Sequence, residues 1–104
     1  MVNERIVLRD TALGKERADL IIRKGKLVNV YTGEIYPADI AIKGTRIACV
    51  GDVKHTLGPK TQTLNASNKF LLPGFIDTHH HMGGSQLSMT RWAEALLANG
   101  TTSI

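Results

Sequence analysis

Four of the five residues from Asp77 to His81 carry side chains able to ligate a metal or move a proton: Asp77, His79, His80 and His81. In an extended strand successive side chains alternate between faces, which puts His79 and His81 on one side and His80 on the other. Two imidazoles so spaced at a strand end can bind one divalent ion, with zinc bonds of about 2.0 to 2.1 Å. Asp77 shares their face one step deeper, where a carboxylate orients ligating histidines. His80, facing away, packs or meets solvent. A bare His-x-His also occurs on exposed loops, so its setting decides its meaning.

The setting is a change of texture at Pro73-Gly74. Phe75 to His79 reads as a strand, and His80 to Gln86 as a glycine-containing loop. Ser88 is placed to cap a helix on which Met89, Trp92, Ala93, Leu96 and Leu97 recur on one face. Asn99-Gly100 stops that helix, and Thr101 to Ile104 opens another strand. Strand, loop, helix and strand at this spacing begin a parallel α/β unit. In parallel α/β barrels the active site lies at the C-terminal ends of the strands, where His79 and His81 stand. Trp92, on the apolar stripe, reads as a core residue.

Upstream of Pro73 the pattern is β-rich. A polar lead-in over residues 1–18, with a short helix through Thr11 to Arg17, precedes strands at Asp19–Arg23 and Lys26–Val30 separated by a turn at Lys24-Gly25. Tyr31 to Glu34 turns again, Ile35 to Ile42 runs out, Lys43-Gly44-Thr45 makes a hairpin and Arg46 to Val50 returns. Alternation places Ile47 and Cys49 on one face and Ala48 and Val50 on the other, a sheet covered on both sides as in a small β-sandwich. Cys49 is then an apolar filler, with no charged neighbour in sequence to activate it. Val53 to Lys60 reads as a loop with an exposed His55, and Gln62–Ala66 and Lys69–Leu72 read as further short strands. The fold expected is therefore α/β with a β-rich N-terminus. Residues 1–72 form part of a β-sandwich domain, and residues 73–104 form the first strand–helix unit of an incomplete (β/α)8 barrel.

Composition sets the outer bounds. The chain has 104 residues, 42% of them hydrophobic and 21% charged, which is ordinary globular usage. Its net charge of +4 comes from dispersed lysines and arginines rather than a basic stripe, so neither a nucleic-acid nor a membrane partner is expected. A single cysteine and an N-terminus without an apolar leader suit the cytoplasm. A complete barrel needs about 250 residues, so the length reads as a fragment or truncated product, marginal or aggregation-prone by itself.

Pro73-Gly74-Phe75-Ile76-Asp77-Thr78-His79-His80-His81, followed by a helix and Gly100-Thr101-Thr102, resembles the opening of the metal-dependent amidohydrolases. The segments Ala18–Ile22, Gly25–Glu34, Asp39–Gly44 and Arg46–Ala48 are similar to the N-terminal region of the adenine deaminases in particular. That resemblance implies a barrel set between the halves of a β-sandwich, with His79 and His81 as metal ligands. It implies hydrolytic deamination of adenine to hypoxanthine and ammonia. The ion implied, manganese or iron and sometimes zinc, would lower the pKa of its bound water toward about 7. The remaining ligands and the catalytic acid and base are expected beyond Ile104. The partner implied is a small purine substrate, in a homo-oligomeric enzyme. One departure stands out: Gly83, in Met82-Gly83-Gly84-Ser85, occupies the position of the family's usual glutamate, and only Ser85 matches its serine pair. This opens the alternatives of another cyclic amidohydrolase, hydantoinase- or dihydroorotase-like, or a catalytically inactive truncated module.

Overall fold

The computed structural model describes residues 3–81 and 86–104. They fall into two compact units, Met1–Leu72 and Pro73–Ile104. The chain is α/β, and its principal sheet is mixed.

The first unit opens with helix α1, Glu4–Ala12, rather than with the helix expected over Thr11–Arg17. Its ends explain the difference. The Asn3 side chain accepts the Arg5 N–H at 3.0 Å, which satisfies one free amide of the first turn. At the other end Gly14 adopts φ +78°. There the Gly14 N–H donates to the Thr11 carbonyl at 3.0 Å and the Lys15 N–H to the Asp10 carbonyl at 2.8 Å. This paired closure needs a left-handed residue and stops the helix before Lys15.

Five strands follow: β1 Leu20–Val28, β2 Ile35–Lys43, β3 Arg46–Gly51, β4 Gln62–Asn65 and β5 Phe70–Leu71. The order is β3-β2-β1-β4, with β5 also on β1. β1 to β3 pair antiparallel, whereas β4 and β5 run parallel to β1. The turn expected at Lys24-Gly25 is a bulge inside one continuous strand. Ile22 pairs with Ile40 and Gly25 with Ala38, so β1 carries one residue more than its partner there. Lys24 takes the extra place at φ +66°, and its N–H donates to the Asp39 carboxylate at 2.9 Å.

A second bulge corrects the faces of β3. Ala41 pairs with Cys49, but the adjacent Ile42 pairs with Ile47, which leaves Ala48 as the extra residue. Cys49 and Ile47 therefore lie on opposite faces, and Ile47 is 58% exposed. Ile21, Ala41 and Cys49 form a row across three strands. They pack with Ala18 and Val53 into the core of this unit, while α1 lies against β2 and β3. Thr11 and Thr56 are fully buried in the same unit, and their hydroxyls donate to the Val7 and Val53 carbonyls. The opposite row, Leu64, Ile22, Ile40 and Val50, stays open, with Leu64 and Val50 exposed. The described residues thus cover one face of the sheet more fully than the other, where Ile22 and Ile40 are half-buried and Ala38 is buried.

In the second unit, strand β6 at Phe75–Ile76 is joined through helix α2, Met89–Ala98, to strand β7, Thr101–Ser103. β6 and β7 pair in parallel. The Ser88 side chain accepts the Arg91 N–H at 3.3 Å and caps α2, and Gly100 at φ +90° ends it, both as the sequence predicts. Gly74 allows a close approach, because a Cβ there would collide with the Thr102 side chain. Among the described residues no helix is long and apolar enough to cross a membrane.

Candidate functional site

The site grows from the point where β6 stops. Asp77 donates its N–H to the Ser103 carbonyl at 2.9 Å, the last bond that ties this segment to β7. Its carboxylate then takes over. Oδ1 accepts the His79 N–H at 3.1 Å, an Asx turn that bends the chain out of the sheet. The expected strand through His79 is therefore two residues long, and side-chain alternation does not govern His79–His81.

The turn nevertheless brings His79 and His81 together. Their Nε2 atoms lie 2.7 Å apart, and their ring centroids are 4.7 Å apart with planes tilted by 57°. Both residues are exposed. One ring must present a lone pair and the other a proton for that contact. Two nitrogens bonded to one tetrahedral ion at about 2.0 to 2.1 Å stand roughly 3.3 Å apart. A change of tautomer that moves the bridging proton to Nδ1, with a small opening of the pair, would let both Nε2 atoms face one ion. Among the described residues no group of three or more His, Cys, Asp or Glu side chains could hold a metal. The loop Met82-Gly83-Gly84-Ser85, with the departure at Gly83, lies outside the described residues.

Asp77 meets His79 through its backbone amide, and among the described residues no hydrogen bond joins it to the rings of His79 or His81. Its Oδ2 meets the Nδ1 of His80 at 3.1 Å instead. The His79 amide, and after it the His80 ring N–H, hold the Asp77 carboxyl below the usual carboxylate range. His80 is the well-covered member of the cluster, its side chain 11% exposed. On its other side Nε2 accepts the indole N–H of Trp92, with ring centroids 5.2 Å apart. With both ring nitrogens engaged, His80 is not available to a metal. Trp92 is the residue that sequence reasoning missed. Its place on the apolar stripe of α2 signalled packing, and only the indole donor hinted at a polar partner.

His55, expected as a plain surface residue, is exposed but tethered, with Nε2 2.7 Å from the Ala12 carbonyl oxygen. Cys49 is half-buried against the core, as a filler would be. A surface hollow of about 330 Å³ belongs to the first unit and is lined by Arg17, Asp19, Lys43 and Lys60 among others. Its cations are largely committed. Arg17 donates to the His55 carbonyl at 2.9 Å, and Lys43 to the Arg17 carbonyl at 3.0 Å and to Asp19 at 3.1 Å.

No protein-family model matches the chain. Curated relatives do. The chain is 53% identical to an adenine deaminase of Moorella thermoacetica over 93 residues, 89% of this chain and 16% of that protein. It is 46% identical to adenine deaminase 3 of Rhizobium meliloti over 99 residues, 93% of the chain and 17% of the relative. Adenine deaminase 4 of the same organism matches all 104 residues at 43% identity, again 17% of its own length. The chain thus spans about one sixth of the length of these relatives. Among solved structures, a Bacillus thuringiensis protein superposes with a TM-score of 0.47 at 25% identity, over 66% of this chain and 97% of that one.

Proposed function

We propose that this chain, adenine deaminase-like along its whole length as an N-terminal portion of such an enzyme would be, belongs to a metal-dependent hydrolase that converts adenine and water to hypoxanthine and ammonia. The observation that carries the reading is the convergence of His79 Nε2 and His81 Nε2 to 2.7 Å, within a segment that matches adenine deaminases at 43–53% identity.

In this reading His79 and His81 hold a divalent ion, manganese or iron and sometimes zinc. When bound, such an ion supplies a hydroxide-like nucleophile at neutral pH and polarises the substrate. The chain's own contribution is placement. The Asp77 carboxylate fixes the turn that carries His79, and the occupied ring of His80 keeps a third imidazole from competing for the ion. Parallel pairing of β6 and β7 across α2 supports the unit 73–104 as the first strand–helix repeat of a barrel. In this reading the other ligands and the acid–base groups lie outside these 104 residues, a view supported by the chain's spanning about one sixth of the length of its relatives. The ring-opening alternative rests on Gly83, which stands in place of the usual carboxylate.

The test uses the whole protein containing this chain, stripped of metal and reloaded in turn with manganese, iron or zinc. Hypoxanthine and ammonia formed in equal amounts from adenine support the reading. Ring opening of hydantoin or dihydroorotate without adenine turnover overturns it in favour of a cyclic amidohydrolase. Inactivity on every one of these substrates overturns it in favour of the inactive module.

A further inference from the structure

We propose that His80 and Trp92 are positioning residues, which hold His79 and His81 in the arrangement that receives an ion; the inference rests on reading that pair as ligands. The observation is an unbroken chain of hydrogen bonds from helix α2 to the backbone of the first ligand. Trp92 has a single polar group, the indole N–H, and it can only donate. It donates to Nε2 of His80, so that nitrogen carries a lone pair and the ring proton sits on Nδ1. Nδ1 is 3.1 Å from Asp77 Oδ2 and donates to it. The other oxygen of the same carboxylate accepts the His79 N–H at 3.1 Å. Every donor and acceptor along the path is matched, and the path imposes one tautomer on His80.

The need for such a brace follows from where the ligands stand. β6 ends at Ile76, and the last backbone bond from this segment to β7 is made by Asp77. His79 and His81 are exposed beyond that point, so no sheet ladder holds them. Their ordering cost must be met either during folding or at the moment of binding, and a site ordered in advance binds more tightly. His80 is mostly covered, and Trp92 sits in the first turn of a capped helix. Together they anchor the turn to a rigid element. In most metal sites the outer partner accepts from the ligand's own ring. Here the carboxylate acts on the ligand's backbone, and His80 and Trp92 aim the carboxylate.

The test is carried out on the whole protein, with manganese and zinc affinities measured by competition against a chelator. The variants are His80→Phe, Trp92→Phe, which keeps a ring but loses the N–H, and the double variant. Each single change is expected to weaken binding roughly 10- to 100-fold, the usual effect of losing an outer-shell partner. The double variant is expected to bind no worse than the weaker single one, because the two residues act as one path. His80→Asn, whose amide N–H can still reach Asp77, is expected to recover part of the loss. Nitrogen-15 NMR of the metal-free wild type should show His80 protonated on Nδ1. Single variants that bind within twofold of wild type, or penalties that multiply in the double variant, overturn the brace while leaving the ligand reading intact. Protonation of His80 on Nε2 in the wild type overturns it whether or not any variant folds. A wild type that binds no ion overturns the ligand reading, and the brace with it.

Discussion

Replacing Gly25 by alanine tests the seam on which the parallel half of the main sheet depends. A Cβ at Gly25 would stand 2.5 Å from Cγ and Cδ1 of Leu71 and 3.0 Å from its Cδ2. Ordinary contact begins about 3.4 Å out, so Leu71 or β5 must move by roughly 1 Å. Overpacking of this kind costs about 1 to 3 kcal/mol, and removing a glycine from a strand returns about 0.5 to 1 kcal/mol. The net expectation is a loss of about 1 to 2 kcal/mol, read as a urea midpoint lowered by about 1 M at a slope near 1 to 2 kcal/mol/M. Leu71→Ala alone removes a half-buried side chain and costs about 1 to 2 kcal/mol, below the range for a fully buried leucine. In the Leu71→Ala background the collision is gone, so Gly25→Ala should become neutral or mildly stabilising. The pair is thus coupled by about 1 to 2 kcal/mol. A Gly25→Ala protein with the wild-type midpoint would refute the reasoning, as would an equal loss with and without Leu71.

The remaining predictions concern the same elements. Asp19 accepts the Gly44 N–H at 2.7 Å and the Lys43 ammonium at 3.1 Å, and these bonds, the Gly44 one foremost, hold its carboxyl below the usual value. A lowered carboxyl stabilises the fold above its unfolded-state pKa, and that contribution vanishes as pH falls through the lower folded-state value. Asp19→Asn should therefore cost about 1 kcal/mol at neutral pH, allowing for an exposed pair, and should flatten the loss of stability below about pH 4; an unchanged acid limb in denaturation series speaks against it. Asn3→Ala removes the α1 cap and should cost about 1 kcal/mol. Gly14→Ala, forced to φ +78°, should cost about 1 to 2 kcal/mol, and thermal melts of both variants read the outcome. His79→Ala and His81→Ala should each abolish tight metal binding while His55→Ala leaves it unchanged, as chelator competition would show.

Much of this was legible where the signal is local. Gly33 and Gly44 mark the two hairpin turns and take the positive φ angles those turns need. Ser88 and Gly100 bracket α2 as read. Two of the failures share a physical cause, since each depends on a partner on a neighbouring strand. A Lys-Gly pair looks the same in a turn and in a bulge. Here the Asp39 carboxylate, 15 residues away, meets the Lys24 N–H and keeps the strand continuous. The bulge at Ala48 exists only in the pairing with β2, so alternation along β3 alone misassigned Ile47. At the site, Thr78 and the histidines look strand-like, and it is the Asp77 side chain that ends β6 by capturing the His79 amide. The apolar periodicity of α2 concealed the one polar bond that matters there, from Trp92 to His80. His79 and His81 do meet, but through a turn rather than through the pleat.

The central claim is that His79 and His81 carry the ion with which the whole enzyme deaminates adenine. The most direct measurement is ammonia release from adenine by the manganese-loaded whole protein beside its His79→Ala variant, with bound metal quantified in both. The account predicts one ammonia for each hypoxanthine in the wild type, and a variant that loses both metal and turnover. A variant that retains metal and turnover, or a metal-loaded wild type that leaves adenine untouched, would contradict it.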